Sequence, residues 1–275
     1  MIVSGVKSSD ELANVSSQQW FQSLSSARRK SLRLFCFPYA GGNTSGYRSW
    51  QRAFPSDIDL CLVHLPGRGK RIGERMFTRL NLLVQTLADL ITREFQPEYA
   101  LFGHSMGALI SFELARELRR RHFPAPQRLF LSGRGAPGTA GRKAPIFDLP
   151  EGAFIAEVRK FNGTPRELLK HPEAMKLFLP TLRADLEMLD TYEDYSEERL
   201  SCPIAVYGGL QDTDAPVESL RPWQEHTSAS CSLRIFPGDH FFIHSAGSGF
   251  VDVLRRDVVD TAHHSSQIQV PVAKC

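Results

Sequence analysis

The sequence predicts an α/β protein: a mostly parallel sheet flanked by helices and interrupted by a helical insertion. Three observations carry that prediction. From Leu32 onward, short apolar runs alternate with helical patterns, as a parallel sheet covered on both faces requires. Roughly seventy residues separate the strand ending near Ser132 from the one beginning near Ile204, far more than one crossover needs. A chain of 275 residues with 42% hydrophobic content can bury one large core, or a core carrying an insertion.

Taken in order, the first thirty or so residues are polar and serine-rich, broken by Trp20 and Phe21, a pair suited to docking a short helix on the body. Strands are predicted at Arg33 to Phe37, Leu60 to Leu65, Tyr99 to Phe102, Leu129 to Ser132, Ile204 to Tyr207 and Leu233 to Phe236. Leu80 to Phe95 and Met106 to Arg121 carry apolar residues three and four apart, such as Leu83, Leu87 and Ile91, and read as crossover helices. The insertion is helical in period, with Phe154, Ile155, Val158 and Phe161 in one segment and Leu182, Leu186 and Leu189 in another. Pro150, Pro165, Pro172 and Pro180 divide it into short helices. The expected organisation is a lead-in over residues 1–30, a core over 31–140 and 201–260, a lid over 141–200 and a tail over 261–275. A lid there would cover the carboxyl ends of the strands, where open α/β sheets bind ligands. An ordinary helical subdomain without a gating role is the plain alternative.

Composition narrows the function classes. Thirty-three Lys and Arg against thirty Asp and Glu leave a net charge of +3, too small for wholesale nucleic-acid binding. Cys36, Cys61, Cys202, Cys231 and Cys275 lack C-x-x-C spacing, so neither a zinc site nor a redox pair is expected. Cys36 and Cys61 fall in apolar runs and read as small buried hydrophobes. The amino terminus lacks a basic segment followed by an apolar run, and no stretch approaches a membrane span; the expected setting is a reducing cytoplasm. With no coiled-coil or repeat signal, a monomer is expected.

Gly103-His104-Ser105-Met106-Gly107 matches G-x-S-x-G, in which a serine sits on a sharp strand-to-helix turn. Chance yields such a string in roughly one chain in eight of this composition, so context decides. A strand-like run precedes it and a helix-like run follows, the arrangement of the α/β-hydrolase fold. A serine hydroxyl needs a base to become a nucleophile. His240 follows an apolar strand in Gly238-Asp239-His240-Phe241-Phe242 and is the best-placed base, with His244 its rival. His104 lies inside the elbow, His122 ends a helix, and His263 and His264 lie in a polar stretch. The histidine needs a carboxylate to hold its tautomer, and the hydrolase order is nucleophile, acid, histidine. Asp212 fits that order just after Gly208-Gly209; Asp214, two residues later, remains open. Donors to the developing oxyanion are assigned to the backbone amides of Met106, after the nucleophile, and Ala40, in the turn Pro38-Tyr39-Ala40-Gly41-Gly42. The same glycines would also suit a simple tight turn.

These segments, with Leu65-Pro66-Gly67-Arg68-Gly69 and Gly209 to Asp212, resemble the type II thioesterases that accompany nonribosomal peptide and polyketide synthases. The resemblance runs from about Leu32 to Val258, and the Pro-Gly-Arg-Gly turn is its most specific part. It implies an enzyme acting in trans on acyl groups carried by the phosphopantetheine arm of acyl or peptidyl carrier proteins. It also implies a helical lid between a sixth and a seventh strand, and no metal or redox cofactor. Carrier proteins are commonly acidic, which draws attention to Arg68, Lys70, Arg71 and Arg75; a solvated loop is the plain alternative. Arg119, Arg120 and Arg121 suit a helix carboxyl end. A general carboxylesterase with the same triad, and a binding protein that keeps the fold without chemistry, stay open on the residues alone.

Overall fold

In a computed structural model, the described residues are 17–95, 98–139, 144–159, 172–195 and 198–267. Phe161, Pro165, Cys275 and the outermost parts of the lead-in and tail lie outside them. Seven strands form one sheet: β1 (Phe21–Ser23), β2 (Leu32–Phe37), β3 (Ile58–Val63), β4 (Tyr99–His104), β5 (Leu129–Ser132), β6 (Ile204–Gly209) and β7 (Cys231–Phe236). Their spatial order is β1-β3-β2-β4-β5-β6-β7, and all pairs but β1 with β3 are parallel. This is the α/β plan the sequence predicts.

Strands of such a sheet are apolar on both faces because helices cover both, and β2 shows it residue by residue. Phe35 and Phe37 pack on one face with Leu83, Leu87 and Ile91 of α1 (Leu80–Glu94) and with Leu109 and Phe112 of α2 (Met106–Arg120). Leu34 and Cys36 pack on the other, with Tyr47, Trp50 and, beyond the insertion, Phe250, Leu254 and Val258 of the carboxyl-terminal helix Ser248–Gln267. Cys36, Cys61 and Cys202 are buried free thiols.

Four expectations need correction. The lead-in does more than dock a helix: after one helical turn, Ser17–Trp20, residues Phe21–Ser23 add an antiparallel edge strand, with Phe21 opposite Val63. Three residues with two polar members show no alternation, so no strand signal was present. The tail does not begin at 261, because the last helix runs on to Gln267 with Thr261 and Ala262 buried. The insertion leaves the fifth strand and returns to the sixth, since the sheet holds seven. It contributes α3 (Glu151–Val158) and α4 (Pro172–Asp190), which form a small core of their own from Phe154, Val158, Met175, Leu179 and Leu182. Pro180 lies inside α4 rather than between helices. Among the described residues no helix is long and apolar enough to cross a membrane.

The edge strand is fastened by a buried carboxylate. Asp59 of β3 is fully buried and accepts from Lys30 Nζ at 2.8 Å, Arg33 Nε at 2.9 Å, Ser23 Oγ at 2.6 Å and the Ser25 amide at 3.2 Å. Burial pushes its pKa up, and these donors more than reverse the push, leaving it below the usual value. Asp59→Ala, which strands two cations, is expected to cost about 3 kcal/mol in urea unfolding at pH 7. A carboxyl with a depressed folded pKa stabilises above its unfolded pKa, about 3.9, and loses that contribution as pH falls through the folded value. The gap between parent and variant is therefore expected to narrow below about pH 4; a gap constant down to pH 2 contradicts the assignment.

Candidate active site

The strand-to-helix turn after β4 sets the site. Ser105 holds φ 54° and ψ −112°, a conformation non-glycine residues avoid, and its amide donates to Ser132 O at 2.8 Å. The turn closes only because its flanks are glycine. A Cβ on Gly103 would lie 2.0 Å from the Gly107 carbonyl, and one on Gly107 would lie 2.6 Å from Phe37 O. His104 is fully buried, its Nδ1 3.0 Å from Ser132 Oγ. Burial first, then the proximity of His240 and His244, pulls its pKa well below the usual value, so it stays neutral beside the site.

The acid and the histidine come from loops after β6 and β7 that are stitched together. Leu210 N donates to Phe236 O at 2.8 Å, Gln211 N to Gly238 O at 2.9 Å, and Gly238 N to Gln211 Oε1 at 2.6 Å. Gly209 permits this approach, since a Cβ there would meet Asp239 O at 2.4 Å. The result places Asp212 Oδ2 2.8 Å from His240 Nδ1. Asp212 Oδ1 accepts from the amides of Asp214 and Ala215 at 2.9 and 3.0 Å. Burial raises the Asp212 pKa, but the bond to His240 and the two amides outweigh it and hold the carboxyl below its usual value, ionised at neutral pH.

Of the sequence candidates, Asp212 meets the histidine, while Asp214 is exposed and lends its amide to Asp212. His244 is also exposed, stacked on Phe241 and edge-on to Tyr39. Asp212, Asp214 and His240 each bring one ligand-type atom within 4.8 Å of the others. His240 Nδ1 and both Asp212 oxygens are engaged in hydrogen bonds with one another and with the Asp214 and Ala215 amides.

Ser105 and His240 lie on the wall of one cavity of about 1190 Å³. With Nδ1 committed to Asp212, the imidazole keeps Nε2 for its other edge. Met106 is the first residue of α2, a position whose amide has no intrahelical acceptor. Ala40 stands on the same cavity wall as Ser105.

The basic residues divide. Arg68 is 9% exposed and Arg71 is 7% exposed; the first pairs with Asp185 at 2.7 Å, and the second with Glu74 while its guanidinium covers the Trp20 ring at 4.2 Å. Neither is presented to an incoming protein, whereas Lys70 and Arg75 are exposed. At the end of α2, Arg120 bonds Glu117 and Arg121 bonds Glu117 and Asp89.

The wall has two further parts, one that sequence reasoning missed and one that it expected only as a covering insertion. One is the loop Gly133 to Thr139 after β5, carrying Arg134, whose pKa burial pulls down while Tyr192 and Asp190 oppose. The other is the apolar face of α4, with Phe178, Leu182, Leu186 and Leu189. The rule that loops at strand carboxyl ends line the site would have found the first. The second fits the expectation that the insertion covers the strand ends with Leu182, Leu186 and Leu189, and the docked helix adds Phe178.

Comparison with known proteins follows the same lines. The gramicidin S biosynthesis protein GrsT of Aneurinibacillus migulanus is 41% identical over 228 residues, covering 83% of this chain and 89% of that protein. A protein of Brevibacillus parabrevis named linear gramicidin dehydrogenase LgrE is 40% identical over 235 residues, covering 84% and 89%. The structure of YbtT, a type II thioesterase from the yersiniabactin NRPS/PKS pathway, superposes with a TM-score of 0.74 at 32% identity, covering 86% of this chain and 97% of that one. The thioesterase domain model matches residues 32–257, from the first parallel strand to the last helix. On that match, and on the relatives above, the chain belongs to the thioesterase domain family.

Proposed function

We propose that this protein acts in trans to hydrolyse acyl groups, misprimed ones included, from the phosphopantetheine arm of acyl or peptidyl carrier proteins in nonribosomal peptide and polyketide synthesis. As a member of its family the chain is a thioester hydrolase of the serine-hydrolase type. The observation that carries the finer reading is a single cavity with Ser105 and His240 on its wall and the Asp212 carboxylate behind the imidazole. Its volume of about 1190 Å³ exceeds what a drug-sized ligand needs and suits a long arm with its acyl cargo.

In this reading Ser105 Oγ attacks the thioester carbonyl as His240 Nε2 takes its proton, and Asp212 stabilises the resulting imidazolium. The carbonyl oxygen becomes an oxyanion facing the amides of Met106 and Ala40, donors worth a few kcal/mol apiece in barrier height. The tetrahedral intermediate collapses, the C–S bond breaks, and the pantetheine thiolate takes the proton back from His240. Water then attacks the acyl-serine with His240 as base, the Ser105 oxygen leaves and recovers a proton, and the free acid departs. A thiolate leaves readily, so the second proton transfer demands less than in amide cleavage. The reaction is complete with these groups, and phosphopantetheine arrives with the substrate. Free thiols at Cys36, Cys61, Cys202 and Cys231 accord with a reducing cytoplasm. The protein is read as a monomer that meets its carrier transiently.

Ser105→Ala is expected to lower kcat/KM on an acylated carrier protein by about a million-fold while leaving the melting temperature that of the parent; retained activity refutes the serine mechanism. Asp212→Asn is expected to lower kcat about ten-thousand-fold and Asp214→Asn to stay within about twofold, measured under the same conditions. For a single acyl chain offered on carrier protein, on coenzyme A and as a simple ester, the highest kcat/KM is expected on the carrier. Highest kcat/KM on the simple ester instead identifies a general carboxylesterase.

A further inference from the structure

The turn that presents Ala40 is gripped by the lid. Gly42 N donates to Tyr39 O at 2.9 Å and Gly41 holds φ +69°, which makes residues 39 to 42 a β-turn with glycine at the position that demands it. The grip comes from outside. Gly41 N donates to Asp185 Oδ2 of α4 at 2.7 Å, and Gly42 O accepts from Arg68 Nη1 at 3.1 Å. Arg68 then closes the loop by donating to both Asp185 oxygens, Nη1 to Oδ2 at 2.9 Å and Nη2 to Oδ1 at 2.7 Å. Asp185 is fully buried. Of the amides on either side of the turn's centre, that of Ala40 is left without a protein acceptor among the described residues, while that of Gly41 is taken by the carboxylate.

We propose that Asp185 is a positioning residue: with Arg68 it locks the turn so that the Ala40 amide points at the developing oxyanion, making the lid helix part of the catalytic geometry. This rests on the serine-hydrolase reading of the site. Three physical points support it. A carboxylate shared by a backbone amide and a bidentate guanidinium makes charge-assisted hydrogen bonds, stronger and more directional than neutral ones. The ion pair is neutral overall, so the turn is held without a net negative charge beside an oxyanion. The apolar contacts agree with the polar ones, because a Cβ on Gly41 would lie 2.7 Å from the Phe178 ring and 3.1 Å from Leu182 Cδ1, so only glycine lets α4 sit this close. Phe178 and Leu182 also line the cavity, so an acyl chain seated against them presses on the helix that holds the turn.

A separate bond docks the same helix without touching the turn, and it supplies the control. Thr181 Oγ1 donates to Gly67 O at 2.6 Å. The experiment measures the rate at which a fluorophosphonate labels Ser105, a reaction that also places an oxyanion against the Ala40 and Met106 amides and needs no carrier protein. Asp185→Asn and the double variant Arg68→Leu with Asp185→Leu are expected to label roughly 10- to 100-fold more slowly than the parent, as a displacement near 1 Å in a catalytic group does. The double variant is expected to keep the parent's melting temperature, since apolar residues can replace a buried ion pair without loss. Thr181→Val is expected to label within about twofold of the parent. Labelling of the double variant within twofold of the parent overturns the proposal, as does an equal slowing in Thr181→Val. A parent that labels normally but leaves acyl-carrier thioesters intact defeats the proposed function while the labelling comparison still decides the role of Asp185.

Discussion

Everything at this site depends on one close backbone crossing, where β4 turns into α2 over Ser105. Two glycines allow the strand, the helix and the end of β2 to come within contact distance, with Gly107 against the carbonyls of Phe37 and Pro38. That crossing costs backbone strain at Ser105, and the surrounding sheet supplies the restraint that holds it. It lifts the hydroxyl out at the carboxyl edge of the sheet, and every other group at the site sits there for the same reason. The turn after β2, the loop after β5, the acid after β6 and the histidine after β7 are neighbours because parallel strands bring their carboxyl ends to one edge.

Glycine recurs where loops from different strands must touch. Gly209 lets the acid loop lie against Asp239, and Gly133, at φ +58°, fits beside the His104 ring, where a Cβ would come within 2.4 Å. The site is thus built from backbone that approaches too closely for side chains. Nearest the elbow, Asp212 is paired with His240 and Asp185 with Arg68, while burial keeps His104 neutral.

The insertion changes the site from an open edge into a cavity. Its helix α4 carries an apolar face over the elbow and sends one carboxylate down to the turn after β2. The Pro-Gly-Arg-Gly segment, specific enough to narrow the family, has its arginine turned inward to that carboxylate rather than outward to a partner. Arg68 is therefore an internal link between the core and the inserted helix α4.

Periodicity and motif made the sheet, its two main crossover helices and the sharp turn at Ser105 legible, because strand and helix periods are local and the elbow is a contiguous string; they also singled out His240, which the fold sets against Asp212. The same local logic was blind to β1, whose three residues become a strand only by pairing with Val63, Leu62 and Cys61. It left Asp212 and Asp214 both open, since two acids two residues apart share a loop and differ only in which one faces the imidazole. It assigned Arg68 no internal partner, because Asp185 lies 117 residues away. Chain order alone settles which groups exist and on which loops they ride. Packing decides which of them meet, because burial and hydrogen bonding act between residues that only the folded sheet and its helical insertion bring into contact.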